Sequence, residues 1–196
     1  MEKKNKIILG SFFIGGILIF AYRIKKKKPV KLDAVNKNIM SKFKKNNADF
    51  IAELNPAAKK TFTDFIQDIV NLGYAVVISS GYRSSSEQAM LKKQNSKNAS
   101  PGYSTHEYGI GLDINLVKDG KWLNKNSKLA DWRKTGIVDL AKKKYNMRWG
   151  GEFPGYSDPI HFDLGNKYNV VTLYAEALKK FGSSENIRGN TMTLKA

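Results

Sequence analysis

STHEYGIGLDINLV, residues 104 to 117, holds one of the chain's two histidines, His106, and runs from a serine- and glycine-punctuated turn into alternating apolar and other residues. Period-two alternation marks a half-buried strand, so Leu112, Ile114 and Leu116 share one face and Asp113 takes the other. IHFDL, residues 160 to 164, repeats the pattern, with Ile160, Phe162 and Leu164 toward the core and His161 and Asp163 opposite. If these two strands are neighbours, Asp113 and His161 meet in one cleft.

The remaining segments supply the frame. A helix is expected from Asn55 and Pro56, as cap and first-turn residue, with Phe62, Phe65, Ile66 and Ile69 at helical spacing and Gly73 as its stop. YAVVISS, residues 74 to 80, is short, apolar and rich in β-branched residues, which predicts a central strand buried on both faces. Ser84 and Glu87 have capping-box spacing for a helix ending near Asn95, placing Arg83 at the strand-to-helix junction. KDGKW, residues 118 to 122, contains a turn. A helical region follows over Ser127 to Tyr145, then the glycine- and proline-punctuated MRWGGEFPGYSDP, the second alternating strand, and a closing helix from Tyr168 to Phe181. Residues 183 to 196 lack periodicity and read as a loose tail. There is no internal repeat. The expected fold class is α+β, a small and mostly antiparallel sheet flanked by helices.

Composition narrows the chemistry. The 196 residues carry no cysteine, which removes disulfides, thiolate metal sites and a cysteine nucleophile, so any metal must be held by His, Asp or Glu. Of the net charge of +17, residues 1 to 31 hold +8, and the remaining +9 attracts polyanions such as anionic lipid or the acidic polymers of a bacterial wall. No specific nucleic-acid partner is expected. Within residues 1 to 31 the apolar run from Ile7 to Tyr22, extended to residue 24 by Ile24 and the stem of Arg23, is flanked by lysines and reads as an uncleaved single-pass membrane helix. A cleavable signal peptide is the rival, but five cations in six residues follow the run where a small-residue cleavage site would stand. Residues 32 to 54 read as a Lys-rich helical stalk, and residues 55 to 182 as the catalytic domain.

Both histidines fall in non-helical surroundings beside carboxylates. Two imidazoles and one carboxylate form a three-ligand set suited to a catalytic zinc, with the fourth position left open. The helical HExxH motif is absent, because Ile110 stands where its second histidine would be. A Ser-His-Asp triad using Ser80, Ser84 or Ser104 lacks the G-x-S-x-G elbow.

Three ordered motifs complete the reading: SGYRS (residues 80 to 84), S-x-H-x-x-G-x-x-x-D (Ser104, His106, Gly109, Asp113), and WGGEF followed by D-x-x-H-F (Trp149 to Phe153, Asp158 to Phe162). Over about residues 55 to 182 the chain resembles the zinc peptidases of bacterial cell walls, the VanY-like D-alanyl-D-alanine carboxypeptidases and the L-alanyl-D-glutamate endopeptidases of phage endolysins. The resemblance implies a hedgehog/DD-peptidase-like fold, a Zn2+ cofactor held by His106, Asp113 and His161, Asp158 as general base, and Arg83 as the residue that binds and polarises substrate. Ser104, Gln88 and Trp149 are further candidates for substrate contact. Asp163 is open as a partner of His161 or an alternative ligand. Many carboxypeptidases of the family carry Glu at the position of Asp158, and Asp there is closer to the endopeptidase branch.

The expected function is a membrane-anchored peptidase cutting the peptidoglycan stem peptide between L-Ala and D-Glu. The alternatives are a D,D- or L,D-carboxypeptidase and an inactive wall-binding relative. The heavier basic flank on the C-terminal side of residues 7 to 24 would hold the domain in the cytoplasm. A latent lysis protein, a viral membrane, or translocation despite charge would each reconcile this with a wall substrate. Oligomeric state is not encoded legibly.

Overall fold

The computed structural model describes residues 46–195. Helix α1 (Asn47–Glu53) is closed at its start by a capping box between Asn46 and Asp49. Helix α2 (Pro56–Asn71) is capped by the Asn55 side chain and buries Ala58, Phe62, Phe65 and Ile69 along one stripe. Strand β1 (Ala75–Ser80) leads into α3 (Ser85–Gln94), which has the expected Ser84–Glu87 capping box. A one-turn 3-10 helix, Thr105–Tyr108, precedes β2 (Gly111–Lys118), which turns through Asp119 and Gly120 into β3 (Lys121–Leu123). Then come α4 (Leu129–Lys134), α5 (Ile137–Tyr145), β4 (Arg148–Trp149), β5 (His161–Asp163) and α6 (Val170–Phe181).

The sheet is antiparallel throughout, in the order β1-β2-β5-β4, with β3 paired to β2 off that path. The α+β expectation is met. One face of the sheet packs on α2, α4 and α5 through Ile78, Leu112, Ile114, Phe162, Phe65 and Trp132. Phe162 is the centre of this layer, with Phe65 and Trp132 rings at 5.4 and 6.1 Å. Truncating such a fully buried phenylalanine to alanine costs about 3–5 kcal/mol.

Several expectations are corrected. Strand β1 is buried on both faces but lies at the sheet edge. On its second face Ala75 and Val77 form a small apolar cluster with Val117 of β2, against which Trp122 of β3 packs. Its open edge is met by the Asn47 amide, which donates to Val76 O (2.7 Å) and accepts from Ile78 N (2.9 Å), as a neighbouring strand would. The helical region before Tyr145 is two helices, broken at Thr135 and Gly136, where Gly136 has φ 76°. Residues 47 to 54 are part of the packed fold, not a stalk, and Leu54 is buried.

The tail is not loose. Ser184–Asn186 and Gly189–Thr191 form 3-10 turns, and Ile187 and Met192 join the core. Asn55 holds them: its Nδ2 donates to Gly189 O (3.2 Å) and Met192 O (2.8 Å) while its Oδ1 caps α2 at Ala57 N. Among the described residues no helix is long and apolar enough to cross a membrane. The expected anchor, residues 7 to 24, lies outside the described residues, as do residues 32 to 45 of the expected stalk.

Because Asn55 is buried and serves both a helix cap and the tail, Asn55→Ala is expected to destabilise by about 2–3 kcal/mol in denaturant unfolding. Asn55→Asp keeps the capping acceptor but loses the donor, so it should free the tail to proteolysis while leaving α2 intact. Equal protection of the tail in the wild type and in Asn55→Asp would contradict this.

Candidate metal centre

The register of β2 against β5 sets Asp113 directly opposite His161. Both side chains leave the sheet on the face away from Phe162, as the alternation predicts, and His161 Nδ1 lies 2.9 Å from Asp113 Oδ1. His106 arrives from the 3-10 turn. Its Nε2 is 3.2 Å from Asp113 Oδ1 and 3.1 Å from His161 Nδ1. Among the described residues these three are the cluster able to hold a metal ion.

The ring nitrogens are assigned by their partners. His106 Nδ1 is 2.6 Å from the Gly81 carbonyl oxygen, which can only accept, so the proton sits on Nδ1 and the Nε2 lone pair points inward. His161 Nε2 donates to Asp163 Oδ2 at 2.8 Å, leaving Nδ1 to face Asp113 and His106. Two imidazole lone pairs and a carboxylate therefore aim at one point. Bonds of about 2.0–2.1 Å in a tetrahedron put donor atoms about 3.3 Å apart, close to the spacing seen, so the donor set fits a small divalent cation.

Electrostatics point the same way. Burial opposes a charge on His161, but its hydrogen bonds and ion pairs with Asp113 and Asp163 prevail and hold its pKa up at about 10. Burial likewise opposes the Asp113 carboxylate, and the charges and hydrogen bonds of the two histidines outweigh it, holding its pKa far below the usual range. The two carboxylates thus stabilise positive charge at His161, where a metal ion would take the place of the Nδ1 proton.

A carboxylate behind His161 fixes its orientation. Asp163 is fully buried and accepts from Arg148 Nε (2.7 Å) and Nη2 (2.8 Å) and from Gly165 N (2.7 Å). Burial works against its ionisation, yet His161 and Arg148 bring its pKa to about 2. With Oδ1 held by Arg148 and Gly165 and Oδ2 turned to Nε2, Asp163 acts as the partner of His161, the arrangement that fixes tautomer and ring plane in metal sites.

Arg83, in the β1–α3 loop, donates through Nη1 to Gln88 Oε1 (2.7 Å) and through Nη2 to Ser80 Oγ (3.0 Å). The same loop exchanges backbone contacts with the 3-10 turn, since Arg83 N donates to His106 O. Asp158 is half-buried, and burial first, then the negative charge of Asp113, push its carboxyl above the ordinary aspartate value. Both histidines of the cluster also bear on it. Its approach depends on Gly150: a Cβ there would overlap Asp158 O and lie 2.9 Å from His161 Cβ.

Three candidates change role. Gln88 is buried, and its amide is used by Arg83 and by Ala99 O (2.7 Å), so it positions Arg83 instead of lining a cleft. Trp149 is buried in the core with its indole N–H on Pro159 O (2.8 Å), so it does not form the cleft wall. Ser104 caps the 3-10 turn by accepting from His106 N (3.3 Å), which makes it a support for the first histidine. Among the described residues the rings of the two histidines bond to Gly81 O, Asp113, Asp163, Thr105 and each other and not to a serine hydroxyl, which leaves the serine-triad rival without its Ser–His pair.

Sequence reasoning missed Arg148, whose role depends on cross-strand pairing with Asp163, and Tyr156; neither has a local signature. Phe153 stands in the WGGEF motif without a role read for it, and it lies against His161 with ring centroids 5.5 Å apart. Asp163→Asn is expected to weaken metal affinity about 10- to 100-fold with the fold retained, as read by competition with a chromophoric chelator. Unchanged affinity would remove Asp163 from the centre.

Residues 97–164, which include all three clustered side chains and Asp158, match a family model described as D-alanyl-D-alanine carboxypeptidase. The peptidoglycan L-alanyl-D-glutamate endopeptidase CwlK of Bacillus subtilis is 31% identical over 128 residues, 58% of this chain and 74% of that protein. A D-alanyl-D-alanine carboxypeptidase of Enterococcus faecium is 29% identical over 155 residues, covering 65% of this chain and half of that protein's length. Among solved structures, the Serratia marcescens L-Ala D-Glu endopeptidase ChiX aligns with a TM-score of 0.47 at 19% identity, over 62% of this chain and 88% of that one. The chain belongs to the metallopeptidase family that contains these D-alanyl-D-alanine carboxypeptidases and L-alanyl-D-glutamate endopeptidases.

Proposed function

We propose that the protein is a zinc endopeptidase of peptidoglycan that hydrolyses the bond between L-Ala and D-Glu of the stem peptide. The observation that carries this reading is the convergence of His106 Nε2, Asp113 Oδ1 and His161 Nδ1 on one point, with Asp158 beside it. Two imidazoles and one carboxylate suit zinc and leave a position free for substrate chemistry. Zinc there supplies Lewis acidity and a nucleophile at neutral pH.

The chain's own groups do the rest. Asp158 takes the proton of the attacking water and delivers it to the leaving amine. Its partly buried setting raises its basicity toward that task. Arg83 is held in place by Gln88 and Ser80, and its remaining N–H groups are offered to the carbonyl oxygen as negative charge develops. His106, fixed by Gly81 O, and His161, fixed by Asp163, keep the ligand geometry through the reaction.

The name of the Bacillus relative and the aspartate at position 158 favour the internal bond. The second reading, a D-alanyl-D-alanine carboxypeptidase, is favoured by the description of the matching family model. Residues 7 to 24 would tether the enzyme to a membrane facing the wall, with a viral membrane as one such location.

Mass spectrometry of murein fragments decides the bond: new amino termini on D-Glu are expected, and loss of a single terminal D-Ala would replace the endopeptidase with the carboxypeptidase. Asp158→Ala should keep metal content and fold while losing at least about 100-fold in rate, the contribution general acid–base groups commonly make. Retained activity would sink the role of Asp158. An enzyme that binds wall without releasing fragments would leave only the inactive-relative reading.

A further inference from the structure

The sheet order places two arginines at opposite sides of the metal centre. Arg83 follows β1 at one edge, Arg148 lies on β4 at the other, and the strands carrying Asp113 and His161 run between them. Arg148 reaches the His161 face, as its pairing with Asp163 shows. That pairing uses Nε and Nη2 only. Nη1 has no partner among the described residues, and the side chain is 40% exposed.

Beside it stands Tyr156. Arg148 Cζ and the Tyr156 ring lie 5.3 and 5.7 Å from the ring of Phe153, which itself rests against His161. Tyr156 is 41% exposed, and its hydroxyl makes no hydrogen bond among the described residues. A guanidinium N–H pair and a phenol, both unengaged and packed around one ring, form a donor surface that suits a carboxylate. Asp158 belongs to the same segment and bears electrostatically on Tyr156. Since Asp158 delivers a proton to the leaving amine, this surface lies on the leaving side of the scissile bond.

We propose that Arg148 Nη1 and the Tyr156 hydroxyl form a carboxylate subsite that receives the acidic residue on the leaving side of the bond, a proposal that rests on the endopeptidase reading above. The subsite recognises a free carboxylate on the D-Glu residue and discriminates against walls in which that group is a carboxamide. Arg148 thereby positions His161 through Asp163 and anchors substrate with the nitrogen left over.

The test compares two synthetic stem tripeptides, one with a free α-carboxylate on D-Glu and one with the carboxamide, using the full-length, metal-loaded protein. Binding of the same pair to an Asp158→Asn variant is measured calorimetrically. The wild type is expected to favour the carboxylate about tenfold or more, the scale of one charge-assisted contact. Tyr156→Phe should narrow that preference several-fold, mainly through KM, with metal content unchanged, and Arg148→Gln should bring it close to unity. If Arg148→Gln fails to fold, Tyr156→Phe alone decides. Equal treatment of the two peptides by the wild type, or an undiminished preference in Tyr156→Phe, overturns the subsite while leaving the endopeptidase intact. Failure of the wild type to cut either peptide instead sinks the endopeptidase reading, and the binding ratio in Asp158→Asn then still decides the subsite.

Discussion

The pairing register of β2 with β5 is the constraint on which the site depends. Side chains alternate with period two, so a slip of one residue would turn Asp113 and His161 into the core and bring Leu112 and Phe162 to the surface. The core prevents this. Leu112, Ile114 and Phe162 are fully buried against Phe65 and Trp132, and exposing them would forfeit several kcal/mol of burial. The apolar face of the sheet thus fixes the metal geometry on the other face.

Around that pair, each functional side chain is held by a second group from a different element. Gly81 O, in the loop after β1, orients His106. Asp163 orients His161, and Arg148 from β4 holds Asp163. Gln88 from α3 holds Arg83. The close approach at Gly150 lets the Asp158 segment lie on the sheet, so that the proposed base comes from a loop while its neighbours are fixed by strands. Such placement limits motion where the ligands sit and leaves freedom where substrate must be admitted.

Much of this was legible in the chain. The alternation in GLDINLV and IHFDL predicted the shared face of Asp113 and His161, and the Ser84–Glu87 capping box and the Asn55–Pro56 cap marked two helix starts. What failed was lateral order and packing. YAVVISS looked central because both its faces are apolar, and both are buried, but face burial does not fix lateral order, and in the described sheet β1 pairs with β2 on one edge only. Trp149 stood as a candidate for substrate contact, whereas the glycine at 151 lets backbone and indole pack together. The tail carries no periodic signal, because it is attached by isolated contacts, Ile187 and Met192 in the core and the amide of an asparagine more than a hundred residues away in sequence. Arg148 could not be seen as a functional residue until its opposite number across the β4–β5 pair was known.

Asn47 has a consequence outside the catalytic face. Strand β1 is the one edge in the described sheet long enough to template another chain, since β3 and β4 are only three and two residues. By occupying Val76 O and Ile78 N, the asparagine amide removes the middle of that template. A single side-chain amide therefore bears on the protein's colloidal behaviour, since it fills the positions through which a bare sheet edge pairs with another copy.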